Sequence, residues 1–136
     1  MKTTIEKILT AHGILEAFNA NEDYTVKIEN EPFLALCIEK HKTQITITHY
    51  VESNGDLIAD PDQELEILNG EWSPVALQLA IGAYYRASEY RDGKRFINPR
   101  QMSEQRKFAK MWSKNLLAQG FGKPKAGAKL VRAETC

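Results

Sequence analysis

The residues best suited to chemistry in this sequence are cations that cluster in its second half. Residues 73–136 hold thirteen Lys/Arg and four Asp/Glu, whereas residues 1–72 hold five Lys/Arg and fourteen Asp/Glu. A line of cations neutralises phosphates and binds nucleic acid without sequence preference, and exposed aromatic rings such as Phe96 or Phe121 stack on bases. The predicted nucleic-acid-binding residues are Arg91, Lys94, Arg95, Arg100, Lys107, Lys110 and Lys114.

The same charge distribution allows three other interpretations. The lysines can simply keep helices soluble, with Trp72, Tyr84, Tyr85 and Trp112 as core anchors. Alternatively, the acidic first half imitates nucleic acid or docks a basic groove, as in a protein-protein inhibitor of the anti-defence type. In the third, acidic and basic halves pair between two copies to form a homodimer. The expected partner is therefore nucleic acid or a protein.

The acidic stretch HYVESNGDLIADPDQELEI, residues 49–67, is the second candidate site. A calcium-binding EF-hand loop needs oxygen ligands on both sides of an invariant Gly and a Glu at position twelve. Aligning Gly55 with that glycine puts Tyr50 first and Pro61 last, so the pattern fails. The acids Asp56, Asp60, Asp62 and Glu64 have no spacing that converges them on a cation. We therefore expect no metal and no cofactor.

The three histidines give little support for catalysis. His12 lies in a predicted helix, His41 in a turn and His49 in a predicted strand. A catalytic histidine needs a second group to orient it, and the best acid-base candidates would be His49 with Asp56 or Asp60. No nucleophile elbow, phosphate loop, zinc-protease motif or paired-cysteine signature is present. The sequence predicts no enzyme and no catalytic residues.

Hydrophobic periodicity predicts that the first half forms a helix and four strands. Ile5, Ile8 and Leu9 recur at helical spacing, which predicts a helix over about 4–19. Alternation predicts strands at 24–28, 33–40 and 45–51, with Ile45, Ile47 and His49 on one face. Asn54-Gly55 predicts a type I′ hairpin turn. Asp60-Pro61-Asp62 then predicts a second turn before a last short strand at 65–68.

The second half is predicted to be helical. Ser73 as N-cap and Pro74 as first helical residue predict a helix to about Tyr90, which Asp92-Gly93 would end. Residues 94–102 would form a connector, and Ser103 would cap a final helix that ends at Gln119, before Gly120. That last helix would bury a stripe of Phe108, Met111, Trp112 and Ala118 and expose Lys107, Lys110 and Lys114.

These elements predict one α+β domain, an antiparallel meander of about four strands with an N-terminal helix and two C-terminal helices packed on it. The domain would cover residues 1–120, followed by a basic, flexible tail at 121–136. No apolar run approaches the roughly eighteen residues of a membrane span, and Glu6 and Glu16 would interrupt a signal peptide. We expect a cytoplasmic protein without membrane contact, with Cys37 and Cys136 as free thiols.

The segment THYVESNGDLIADPDQELEI also resembles the signature of an uncharacterised small domain family of bacteria, phages and integrative elements. The shared features are His49-Tyr50, then Asn54-Gly55-Asp56-Leu57, then Asp60-Pro61, and the likeness covers about residues 20–90. Val51 replaces an aromatic residue usual in that pattern, and Gln63 follows the acidic turn. The resemblance implies a small accessory protein of mobile elements, with no established activity. It carries over no site residues.

Overall fold

The computed structural model describes residues 1–80, 82–123 and 129–131, without the side chains of 53, 57 and 129–131. In chain order, the elements are α1 (Lys2–Ala11), α2 (Leu15–Ala20), β1 (Asp23–Asn30), β2 (Phe33–His41), β3 (Gln44–Ser53), β4 (Asp56–Leu68), β5 (Glu71–Gln78), β6 (Tyr84–Arg86), β7 (Ser88–Arg91), β8 (Lys94–Ile97), α3 (Pro99–Ala118) and β9 (Lys129–Val131). The predicted α+β class with an N-terminal helix is confirmed.

A large antiparallel sheet forms the centre of the fold. Its strand order is β6-β5-β4-β3-β2-β1-β9, and β7 and β8 form a separate two-stranded hairpin. The predicted strands at 24–28, 33–40 and 45–51 are confirmed as β1, β2 and β3. The prediction of four strands was wrong, because β5 to β8 arise in a segment that was predicted to be helix and connector.

The core lies between one face of the sheet and the three helices. Alternate side chains of β1 to β4 pack against Ile5, Ile8 and Leu9 of α1 and against Trp112 and Leu116 of α3. The strand alternation places most of the large apolar side chains of β1 to β3 on this face, and the other face carries mainly polar side chains. As predicted, Ile45, Ile47 and His49 share the buried face.

The predicted helix from Ser73 to Tyr90 was wrong, because the segment forms β5, β6 and most of β7. A short, nearly continuous apolar run fits a strand buried on both faces as well as a buried helix. Pro74 lies beside a β-bulge, since Leu65 pairs with Pro74 and Glu64 pairs with Ala76, which leaves Val75 as the extra residue. A proline without an amide hydrogen is tolerated at such a bulge.

The Asn54-Gly55 turn is confirmed, but the turn predicted at Asp60-Pro61-Asp62 was wrong. Both Asn54 and Gly55 have positive φ, as a type I′ turn requires. Strand β4 instead continues through Asp60 and Pro61 for thirteen residues. Thr48 pairs with Asp62 and Tyr50 pairs with Ala59. Asp60 and Pro61 therefore form a bulge opposite the single residue His49.

The helices also begin and end at positions that differ from the prediction. Gly13 has a φ of +71° and separates α1 from α2, so the single helix predicted over 4–19 was wrong. Asn98, not Ser103, caps α3, because its side chain accepts a hydrogen bond from the Gln101 amide, and Pro99 is the first helical residue. The predicted helix end before Gly120 is confirmed. Only one C-terminal helix exists among the described residues.

Other predictions concern cysteine, membrane contact and the tail. Cys37 is disulfide-bonded, so the free thiol predicted there was wrong, and Cys136 lies outside the described residues. None of the helices in the described ranges is long and apolar enough to span a membrane. The predicted flexible tail, 121–136, lies largely outside those ranges. Its first residue, Phe121, is buried in the core, and 129–131 pair with β1.

Candidate nucleic-acid interface

Four of the predicted cations lie together on the outer face of α3. Met102, Gln105, Ala109, Trp112, Ser113 and Leu116 form the buried side of this helix. Arg100, Lys107, Lys110 and Lys114 are exposed and fall within an arc of about 80° on the opposite side. We call these four residues the α3 cation stripe. The stripe is about 21 Å long at 1.5 Å per residue. Met111, which was predicted to be buried, is exposed beside it.

The described part of the chain offers the α3 cation stripe no ion-pair partner. Among the described residues, the ion pairs within 4.0 Å involve His41, Arg91 and Arg95, and none involves a residue of the stripe. Glu104 is the one acidic residue of α3. Lys107 and Lys110 also line a depression of about 600 Å³ with Arg106 and the apolar side chains of Ile97 and Met102. These cations are therefore available to an anionic partner.

The β7–β8 hairpin carries two more of the predicted cations, Arg91 and Lys94. Its turn, Asp92-Gly93, has positive φ at both residues, which matches a type I′ turn. Glu89 pairs with Phe96 and Arg91 with Lys94, so these four side chains share one face of the hairpin. The Arg91 guanidinium contacts the Glu89 carboxylate and lies 5.2 Å from the centre of the Phe96 ring.

Arg95, also predicted to bind nucleic acid, points to the opposite face of the hairpin. Its guanidinium donates a hydrogen bond to the Ser73 hydroxyl at 3.0 Å and lies 4.0 Å from the Glu66 carboxylate. The Tyr90 hydroxyl donates to the same carboxylate at 2.7 Å. Arg95 therefore anchors the hairpin to the sheet and is committed to that role.

The aromatic residues divide differently from the prediction. Phe96 is 46% exposed, whereas Phe121, the other predicted stacking residue, is 1% exposed and packs in the core. Tyr84 and Tyr85, considered as core anchors, are exposed on β6. Trp112 is buried, in agreement with an anchoring role. The Asp92-Gly93 pair was the sequence signal for the hairpin that exposes Phe96, because Asp-Gly is typical of type I′ turns.

Acidic residues gather on the sheet face that the helices leave open. Glu39, Thr46 and Glu64 form one cross-strand row, and Thr48 with Asp62 forms the next. Burial first, and the negative charge of Glu64 second, raise the pKa of the Asp62 carboxyl to about 6, although a hydrogen bond from Thr48 opposes the rise. These carboxylates therefore lie on the opposite side of the sheet from the α3 cation stripe, in cross-strand rows that also include Lys27 and Arg86.

His49 packs in the core between aromatic side chains. Its ring packs 5.5 Å from the Trp112 ring and 5.9 Å from the Phe121 ring, and Nδ1 donates to the Ala35 carbonyl at 2.9 Å. Burial lowers the pKa of His49, while the Ala35 carbonyl and the charge of Asp60 oppose that change. No group of three or more His, Cys, Asp or Glu within the described ranges is arranged to hold a metal ion.

A family model matches residues 3–122, almost the whole described chain. The chain belongs to DUF6908, described as a domain of unknown function. The predicted membership of an uncharacterised domain family is thereby confirmed at that level. Searches of the curated proteins and of the solved structures found no match.

Proposed function

We propose that this DUF6908 protein binds nucleic acid through the α3 cation stripe, as an accessory binding protein of a phage or mobile element. The observation that carries the proposal is a set of four exposed cations on one helix face without a carboxylate partner among the described residues. The stripe matches the axial length of about six nucleotides of one B-form strand. Lys94 extends the positive surface onto the hairpin, where the Arg91 guanidinium contacts the Glu89 carboxylate.

Salt dependence provides the first test. If four cations each contact one phosphate, affinity for a labelled oligonucleotide should fall about 50- to 150-fold between about 50 and 200 mM salt. Fluorescence anisotropy with single-stranded and duplex DNA measures this change. Absence of binding at low salt would overturn the proposal.

A matched pair of double variants shows whether the binding belongs to α3. Lys107→Gln/Lys110→Gln should lower the magnitude of the logarithmic salt slope by about 1.4 to 1.8, the contribution of two phosphate contacts. Lys7→Gln/Lys42→Gln removes the same charge from exposed positions on α1 and in the β2–β3 turn. Equal losses in both variants would show that net charge, rather than the α3 stripe, controls binding.

The acidic sheet face supports a second candidate, a protein-protein inhibitor that docks a cationic surface. Glu39, Asp62 and Glu64 present several carboxylates on adjacent strands. The same face would also pair with the α3 stripe of another copy, which predicts a homodimer that loosens as salt rises. Sedimentation at low and high salt tests the dimer. A charge reversal at Glu64 should abolish either association and leave oligonucleotide binding intact.

We propose a binding role rather than catalysis. The support is local: His49, the best acid-base candidate, is 8% exposed and has its ring between two aromatic side chains. A catalytic group must reach its substrate directly or through one water. If a reaction were found, turnover that survives His49→Ala would show that His49 is not its acid-base group.

A further inference from the structure

We propose that the cleft beside the β7–β8 hairpin binds an unpaired nucleobase, stacked on Phe96, so that the protein prefers single-stranded over duplex nucleic acid. This inference rests on the proposed function, because the α3 cation stripe would hold the neighbouring phosphates. It adds the class of ligand: a strand whose bases are free to leave the stack.

The cleft has the size and lining of a small-ligand site. Its volume is about 460 Å³, within the range of ligand pockets. The lining combines the Phe96 ring and the apolar Ile97 side chain with polar groups, which come from Arg86, Ser88, Asn98 and the Glu89–Arg91 ion pair. A flat apolar surface beside a few hydrogen-bonding groups suits a nucleobase, whose two faces are apolar and whose edge is polar.

Phe96 is placed for stacking in a way that core aromatics are not. Nearly half of its surface is exposed even though the Arg91 guanidinium lies 5.2 Å from the ring centre. Arginine and phenylalanine together form a common platform for unpaired bases, because both present planar surfaces. The hairpin that carries them is fixed to the sheet through Arg95 and Ser73, so the backbone of the hairpin should lose little conformational entropy on binding.

The cleft is continuous with the proposed phosphate-binding surface. Ile97 lines both this cleft and the depression at the start of α3 that contains Lys107 and Lys110. A strand with its phosphates along α3 would therefore bring a base to Phe96 past the shared Ile97 side chain. In duplex nucleic acid the bases are paired and stacked inside the helix, so Phe96 cannot reach a base face.

Single-stranded and duplex DNA oligonucleotides of equal length, with a single-stranded RNA arm, test the inference by anisotropy. Phe96→Ala should weaken single-strand binding about 5- to 150-fold and leave duplex binding within twofold. Phe96→Tyr should retain the single-strand affinity. Phe33→Ala, which removes another partly exposed phenylalanine on β2, should have no effect. Circular dichroism checks that each variant is folded.

A strand with abasic positions provides an independent measurement. It keeps the phosphates and removes the stacking faces, so it should bind wild type about as weakly as the intact strand binds Phe96→Ala. The two losses should not add, because they remove the same contact. In Phe96→Trp, the intact strand should quench the new indole fluorescence and the abasic strand should not.

The outcomes separate this inference from the proposed function. If no oligonucleotide binds at low salt, the proposed function and the inference both fail. If both strands bind and depend on Lys107 and Lys110, but Phe96→Ala has no effect or the duplex binds as tightly as the single strand, only the base-stacking inference is overturned.

Discussion

Replacing Asp62 with asparagine should stabilise the protein at neutral pH. Asp62 lies on the open sheet face, where burial and, second, the charge of Glu64 raise its pKa to about 6. Its Oδ1 atom is buried without a hydrogen-bond partner in the described structure. At neutral pH the carboxylate is ionised in surroundings that disfavour the charge. Asparagine keeps the shape and removes the charge.

The size of the effect follows from the change in pKa. A rise from 3.8 to about 6 corresponds to roughly 3 kcal/mol when the group is fully ionised. Because the side chain is partly exposed and screened by solvent, we expect about 1–2 kcal/mol. The folded pKa is the higher one, so this contribution favours folding below about pH 4. It is lost as the pH rises through about 6.

Urea unfolding at pH 4.5 and pH 7.5 measures the prediction. Asp62→Asn should raise the unfolding free energy at pH 7.5 and change it much less at pH 4.5. Asp56→Asn, an exposed carboxylate at the start of β4, is the matched control and should be close to neutral at both values. Subtracting wild type from each variant cancels the other titrating groups. If Asp62→Asn were no more stable than wild type at pH 7.5, the assignment of an unfavourable charge would be wrong.

Three further predictions concern other parts of the molecule. Burial lowers the pKa of His49 below 6.5, so the unfolded chain takes up a proton at a higher pH than the folded protein does. Stability should therefore fall as the pH drops below 6.5. His49→Gln should remove this pH dependence in urea unfolding. Arg95→Ala should cost about 1–3 kcal/mol, because it removes the hydrogen bond that anchors the hairpin to Ser73 and the cation beside the Glu66 carboxylate. The salt slope of oligonucleotide binding should stay unchanged. Leu116→Ala should cost about 2–5 kcal/mol in thermal or urea unfolding, whereas Leu117→Ala, on the exposed side of α3, should cost about 0.5 kcal/mol.

The first half of the fold could be predicted because its strands have one buried and one open face. Such strands alternate apolar and polar residues, as Tyr24, Val26 and Ile28 do, and the alternation fixes both the strand and its orientation. Strand β5 lacks this signal, since residues on both of its faces are buried. Ser73-Pro74 has the local residue pattern of a helix start, but tertiary contacts override that preference and the segment forms a strand.

The candidate site was predictable in composition and less so in geometry. The sequence supplied the α3 cations, and their common face follows from helical spacing once the helix is known. It did not indicate that Arg95 turns away from Arg91 and Lys94, because neighbouring strand residues point to opposite faces only if a strand forms there. Reading Asp92-Gly93 as a helix end therefore hid both the anchoring role of Arg95 and the exposure of Phe96.

The two charged surfaces also explain why one protein supports two binding hypotheses. The α3 cations lie on the outer, exposed side of the helices. The carboxylates of Glu39, Asp62 and Glu64 lie on the open side of the sheet. A partner on one side need not displace a partner on the other. Because the pKa of Asp62 is about 6, mild acidification removes charge from the sheet face and leaves the lysines and arginines charged. Lower pH should therefore weaken an association through the acidic face while oligonucleotide binding persists, which distinguishes the surfaces without any substitution.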